Sequence, residues 1–174
     1  PFVMNQCVTS GIYLSRWGLY DLLARINFLF FDKTKTLTKG EYYYSQFFLE
    51  QGTNQGTFLS TLFSLEALSK HPLALGAKTH HWYAEIPRYA VKDAHVDSGL
   101  GVSGMVSDPG GELHFAVVGN QRYVKRNRMY LSRDLREKID YLEKMGETVI
   151  LCAWGGEVKV LISLVDELRS DVTS

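Results

Sequence analysis

The chain has 174 residues, 45% hydrophobic and 22% charged, with 19 basic and 19 acidic side chains that cancel to a formal net charge of zero. That is enough for one ordinary domain, or a domain with part of another, around a proper apolar core. The balance excludes a global field of the kind that draws nucleic acid or a membrane surface, and no stretch approaches the ~20 apolar residues that span a bilayer.

Cys7 and Cys152 match no disulfide framework, which fits a reducing compartment. The chain opens on PFVMNQ with no signal-peptide pattern and ends on RSDVTS soon after a strong strand. Both ends predict a soluble piece excised from something longer.

In chain order, residues 12–25 predict a short amphipathic helix with Leu19, Leu22 and Leu23 on one face. Phe28–Phe31 is a continuous apolar run, as in a strand buried on both faces of a parallel sheet, and it ends at Asp32. The carboxyl ends of such strands are where open α/β sheets bind ligands. YYYSQFFLE (42–50) predicts a strand, and QGTNQG (51–56) a loop. Phe58, Leu62, Leu65 and Leu68 recur at helical spacing over 57–69, and Pro72 suits the start of a second helix over 72–83.

From Tyr89 to Asn120 short strands alternate with glycines, and Leu113, Phe115 and Val117 predict a half-buried strand. Ser132 predicts the cap of a helix with Leu135, Ile139 and Leu142 inward and Gly146 at its end. TVILCAW, a Gly-Gly turn and EVKVLISLV predict a strand pair. Residues 41–165 therefore read as α+β, an antiparallel sheet with flanking helices, between two pieces of another domain.

Four groups of residues can carry chemistry. Asp32, followed by Lys33 and Thr34, is either the acid that starts a turn or a carboxylate nucleophile at a strand end, with hydroxyl donors nearby at Thr34 and Thr36. His71 before Pro72 stands at a break between helices, as a surface cap or as an imidazole pointing into a cleft. SGLGVSG (98–104) is a glycine-rich turn, or a backbone surface that a flat ring or phosphate can approach. It does not follow a strand and open a helix, which excludes a Rossmann fingerprint. Gly119–Asn120 ends a strand, as an ordinary turn or as an amide that reads a ligand. His80, His81, His95 and His114 show no zinc-site spacing. The basic run RYVKRNR reads as a solvated face.

DKTKTLTKG (32–40) resembles the phosphorylation motif of P-type ATPases, DKTGTLT followed by glycine, with one mismatch at Lys35. EALSKHPLA (66–74) resembles the histidine motif of the heavy-metal-transporting subfamily, with Ser69, His71, Pro72 and Leu73 matching and Lys70 in place of a glutamate. Gly99-x-Gly101 and Gly119–Asn120 follow in the family's order, and VDELR (165–169) resembles its hinge.

The resemblance covers nearly the whole chain. It implies residues 1–40 as the start of a haloacid-dehalogenase-like α/β phosphorylation domain, 41–165 as an inserted nucleotide-binding domain, and 166–174 as the hinge back. It implies Asp32 as phosphoryl acceptor and Mg²⁺ ligand, with Lys33 and Thr34 positioning phosphate and metal. ATP would lie against Glu66, His71, Pro72, Gly99, Gly101, Gly119 and Asn120. The parent would be an integral membrane pump with this loop in the cytoplasm, and with transmembrane and actuator domains as partners. It would move a cation this piece does not bind, and nucleic acid is not expected.

Two departures qualify the expectation. A glycine beside the acceptor serves a positive-φ turn or the close passage of phosphate, and at positive φ a lysine costs about 1 kcal/mol or more. The family's later TGD and GDGxxND segments are not present before Ser174. The rival reading is a non-catalytic nucleotide-binding module disabled by Lys35. A phosphatase of the haloacid-dehalogenase type is disfavoured, because the second Asp such enzymes carry is Thr34 here.

Overall fold

A computed structural model describes residues 8–13, 15, 18–69 and 85–172. Its centre is a six-stranded sheet in which every neighbouring pair is antiparallel. The strands are β1 (Thr38–Leu49), β2 (Val91–Asp97), β3 (Gly101–Ser107), β4 (Leu113–Gly119), β5 (Thr148–Trp154) and β6 (Glu157–Leu168), in the spatial order β1-β6-β5-β4-β3-β2. The described helices are α1 (Leu19–Leu23), α2 (Gln55–Glu66), α3 (Gln121–Arg126) and α4 (Arg133–Lys144). The antiparallel sheet with flanking helices is as the sequence predicts.

Helices cover both faces of the sheet. On one, α2 sets Phe58, Leu62, Phe63 and Leu65 against Val102, Val118, Ile150, Cys152 and Ile162. On the other, Tyr123 of α3 and Leu135, Ile139 and Leu142 of α4 meet Val117, Val149, Leu151 and Leu161. Double coverage explains why β5 reads as an unbroken apolar run. It also explains β4, where Ala116, Val117 and Val118 are all fully buried although Leu113 and Phe115 stay exposed. The predicted alternation therefore fails at the open end, where Leu113 and Phe115 face outward and His114 is the half-buried residue, and of the three predicted positions only Val117 is buried.

Local chemistry fixes the element ends. Asn54 caps α2 by accepting from the Thr57 N–H at 3.1 Å, and Ser132 caps α4 by accepting from Leu135 N–H at 3.3 Å. Gly146, at φ +81°, closes α4. The β5–β6 hairpin turns on Gly155 and Gly156, with φ of +63° and +85°, a pair of positive values that suits a two-residue hairpin.

Helix α2 differs from the predicted two-faced helix, because Ser60, Thr61 and Ser64 are buried with the apolar residues. Thr61 Oγ1 and Ser64 Oγ donate back to the carbonyls of Thr57 and Ser60, at 2.9 and 2.6 Å, so these hydroxyls need no solvent. The predicted second helix over 72–83 lies outside the described residues.

The segment before the sheet departs most from expectation. Instead of a helix over 12–25, α1 spans five residues, with Leu22 and Leu23 largely exposed. Phe28–Phe31 is not a buried strand. The four side chains are 60–91% exposed, and the run forms no ladder. A buried parallel strand needs strands on its flanks for its N–H and C=O groups, and no described strand pairs with it.

Candidate functional site

Residues 32–38 form a wide turn leading into β1, exposed from Asp32 to Thr36 and ending on the buried Thr38. Asp32 is extended, with φ −64° and ψ 139°, and Asp32, Lys33 and Thr34 are all exposed. Lys35 adopts φ +63° and ψ 0°, the left-handed conformation that a glycine would take without strain. Its backbone N–H donates to Thr38 Oγ1 at 3.2 Å, and that hydroxyl donates to Asp166 Oδ2 at 2.6 Å. Asp166 Oδ1 accepts from the Gly40 N–H at 2.9 Å, so one carboxylate ties the start of β1 to the end of β6.

The stem of Lys35 folds over Gly40, where an added Cβ would stand 2.5 Å from Lys35 Cγ. Lys33 reaches away from the turn, donating from Nζ to the Gly146 carbonyl at 2.8 Å. This places a cation at the negative end of the α4 dipole.

Glu66, at the C-terminal end of α2, is 2% exposed. Burial pushes its carboxyl up to about 7, opposed by a hydrogen bond from Ser69 Oγ at 3.0 Å. The Cys152 thiol is pushed up by its own burial and further by the charge of Glu66. Cys152 stands opposite Val118, and Gly119 follows Val118. Glu66 thus lies over the Val118–Cys152 row, on the face of the sheet that α2 covers.

Gly101 and Gly119 face each other across β3 and β4. A Cβ on Gly101 would stand 2.6 Å from Tyr123 Cδ1 and 2.7 Å from the Gly119 Cα, and would collide with the Val118 carbonyl. The absence of a side chain therefore seats the buried Tyr123 ring, whose hydroxyl lies 3.0 Å from Ser103 Oγ. Gly99 is different. It has φ +74° and open space where a side chain would be. Asn120 fixes this corner by donating from Nδ2 to the Gly99 carbonyl at 3.1 Å and accepting at Oδ1 from the Tyr123 N–H at 3.0 Å. Both ends of its amide hold the fold.

The structure thus brings Gly99, Gly101, Gly119 and Asn120 together at one corner of β3 and β4, while Glu66 is buried on the α2 face of the sheet, opposite the face that Tyr123 covers. His71 and Pro72 lie outside the described residues. Asp32, Lys33 and Thr34 are elsewhere. The register Gly101–Gly119–Leu151–Leu161–Phe48 crosses four strand spacings, about 19 Å, and Thr38 lies a further ~30 Å along β1. Sequence reasoning missed Tyr123 and Asp166, whose roles depend on partners 20 and 128 residues away. It also set His114 aside, although folding places it beside Asp108 and Glu112.

A doubly covered antiparallel sheet of this kind resembles the nucleotide-binding domain of a CPx-ATPase. The catalytic domain of the CPx-ATPase CopB-B shares this fold, at a TM-score of 0.57 and 22% identity over 95% of this chain and 54% of that one. No family model matches the chain.

Among curated relatives, the copper-transporting ATPase RAN1 of Arabidopsis thaliana is 24% identical over 181 residues, covering 94% of this chain and 18% of its own length. A probable cadmium-transporting ATPase of Alkalihalophilus pseudofirmus is 28% identical over 166 residues, covering 93% and 21%. The chain is thus similar in sequence to heavy-metal P-type ATPases and shares its fold with a CPx-ATPase catalytic domain. It spans about a fifth of the length of these relatives.

Proposed function

We propose that this chain binds ATP as the nucleotide-binding part of a heavy-metal cation pump. ATP lies against Glu66, His71, Pro72, Gly99, Gly101, Gly119 and Asn120, and residues 41–165 are the nucleotide-binding domain. Residues 1–40 and 166–174 are the two connections to a haloacid-dehalogenase-like phosphorylation domain. The observation that carries this reading is the corner formed by Gly99, Gly101, Gly119 and Asn120, residues from two stretches of sequence that match the family's nucleotide motifs in order.

Each group has a role its chemistry supports. A carboxyl held near neutrality can accept or donate a hydrogen bond to an adenine edge. Gly99 leaves its surroundings open to a flat ring, while Gly101 and Gly119 let Tyr123 support the corner from beneath. Asn120 holds that corner in register rather than spending its amide on ligand.

Asp32, exposed beyond the sheet edge, is the phosphoryl acceptor in this reading. The γ-phosphate then has to be delivered by domain motion, because the register separates the two groups by tens of Å. A hard carboxylate oxygen fits Mg²⁺ shared with phosphate, and the ion when bound offsets phosphate charge there. The actuator and transmembrane domains of a longer chain are the partners, and the transported cation is handled by them.

Calorimetric titration with ATP tests the reading. Saturable binding that weakens at least about tenfold in both His71→Ala and Glu66→Ala supports it, as loss of a buried polar partner costs 1–3 kcal/mol. Equal affinity in the wild type and both variants would remove Glu66 and His71 from the site.

A further inference from the structure

The β3–β4 hairpin carries a second cluster that the nucleotide reading does not use. Asp108, Glu112 and His114 each offer a ligand atom, and these atoms lie within 4.8 Å of one another, the one such trio of His, Cys, Asp or Glu side chains among the described residues. His114 Nε2 is 3.3 Å from Asp108 Oδ2 and 3.9 Å from Glu112 Oε2. A tetrahedral zinc site with bonds of about 2.1 Å sets its ligand atoms ~3.4 Å apart, so the trio already stands close to the spacing such an ion demands.

The three groups are also held in different ways. Asp108 Oδ1 accepts from the Glu112 N–H at 2.8 Å, which closes the turn, holds the carboxyl below its usual range and leaves Oδ2 facing the imidazole. The His114 ring lies against the Trp154 indole, with centroids 4.5 Å apart, and its backbone is fixed by pairing with Val106. Asp108 and His114 are half-buried, and Glu112 is the exposed member that can close over an arriving ion.

We infer that Asp108, Glu112 and His114 form a binding site for a divalent transition ion of the Zn²⁺ type, with one coordination position left to water. An imidazole with two carboxylates suits such an ion, whereas Mg²⁺ takes oxygen ligands and keeps its waters. The proposal is independent of the ATP reading. It uses other residues, on the hairpin at the far end of β3 and β4 from the Gly101–Gly119 pair.

The competing account of the same distances is an ion pair between protonated His114 and the two acids. Titration of the 174-residue chain with zinc chloride, by calorimetry and by the ¹⁵N shift of His114 Nε2, separates the two. Expected are one saturable equivalent, persistence in millimolar Mg²⁺, a shift of the Nε2 resonance, and a loss of about tenfold or more in both Glu112→Gln and His114→Ala. Glu112→Gln alters an exposed turn side chain, so its effect is not one of misfolding. The inference is overturned by no binding at submillimolar Zn²⁺. It is equally overturned by binding that survives both substitutions while falling in His95→Ala or in the His80→Ala/His81→Ala pair.

Discussion

Lys35 occupies a left-handed backbone conformation at φ +63°, and an L side chain there costs about 1–2 kcal/mol. Lys35→Gly relieves that strain but gives the unfolded chain more freedom. The net expectation is a gain of about 0.5–1 kcal/mol, read as a higher denaturant midpoint at constant slope. A lower midpoint would show that the Lys35 stem over Gly40 matters more than the turn. In a complete pump, the same substitution is expected to raise phosphoryl labelling of Asp32. Equal labelling of both forms would clear Lys35 of any role in transfer.

Glu66 gives a prediction in pH. Its carboxyl is raised from 4.5 to about 7 in the folded chain, so between these values the folded state holds a proton that the unfolded state has lost. Stability therefore falls as pH rises through this window, by up to about 3 kcal/mol at one pKa unit per 1.4 kcal/mol, and is flat above it. Glu66→Gln should abolish that slope, as followed by urea midpoints from pH 4 to pH 8. An unchanged slope in the variant would assign it to another group.

At the scale of elements, the glycine corner separates two kinds of glycine. Gly101→Ala drives a Cβ into the Tyr123 ring, the Gly119 Cα and the Val118 carbonyl, two of them backbone. It should cost 2 kcal/mol or more, at the upper end of the ~1–3 kcal/mol typical of overpacking. Gly99→Ala meets open space and pays only for its positive φ, about 1 kcal/mol. Thermal unfolding of the two variants checks the order. Gly99→Ala proving the more damaging would place the tight contact at the wrong residue.

Legibility in the sequence also divides by element. Helix α4 was readable because its cap, its inward Leu135, Ile139 and Leu142, and its closing Gly146 are all local signals. The β5–β6 hairpin was readable for the same reason. The glycine corner was located, yet its packing was not, because nothing near Gly101 in sequence announces the Tyr123 ring. Phe28–Phe31 misled, since an apolar run states that burial is favoured and not that a partner strand is present. Asp108, Glu112 and His114 were invisible because their spacing follows no zinc pattern and their meeting depends on how β3 and β4 turn.

Across the whole molecule, the sheet keeps the two candidate sites apart. The glycine corner and Glu66 occupy the β2–β3–β4 side, while the Asp32 turn extends beyond the start of β1 at the opposite edge. Asp166 binds the start of β1 and the end of β6 together. No helix among the described residues is long and apolar enough to cross a membrane. The central claim is that ATP binds at the corner and not at the turn. Amide NMR during an ATP titration tests it most directly. The account predicts saturable shifts at Glu66, Gly99–Gly101 and Gly119–Asn120, with Asp32–Thr34 unmoved. Shifts confined to the Asp32 turn, or none at millimolar ATP, would contradict it.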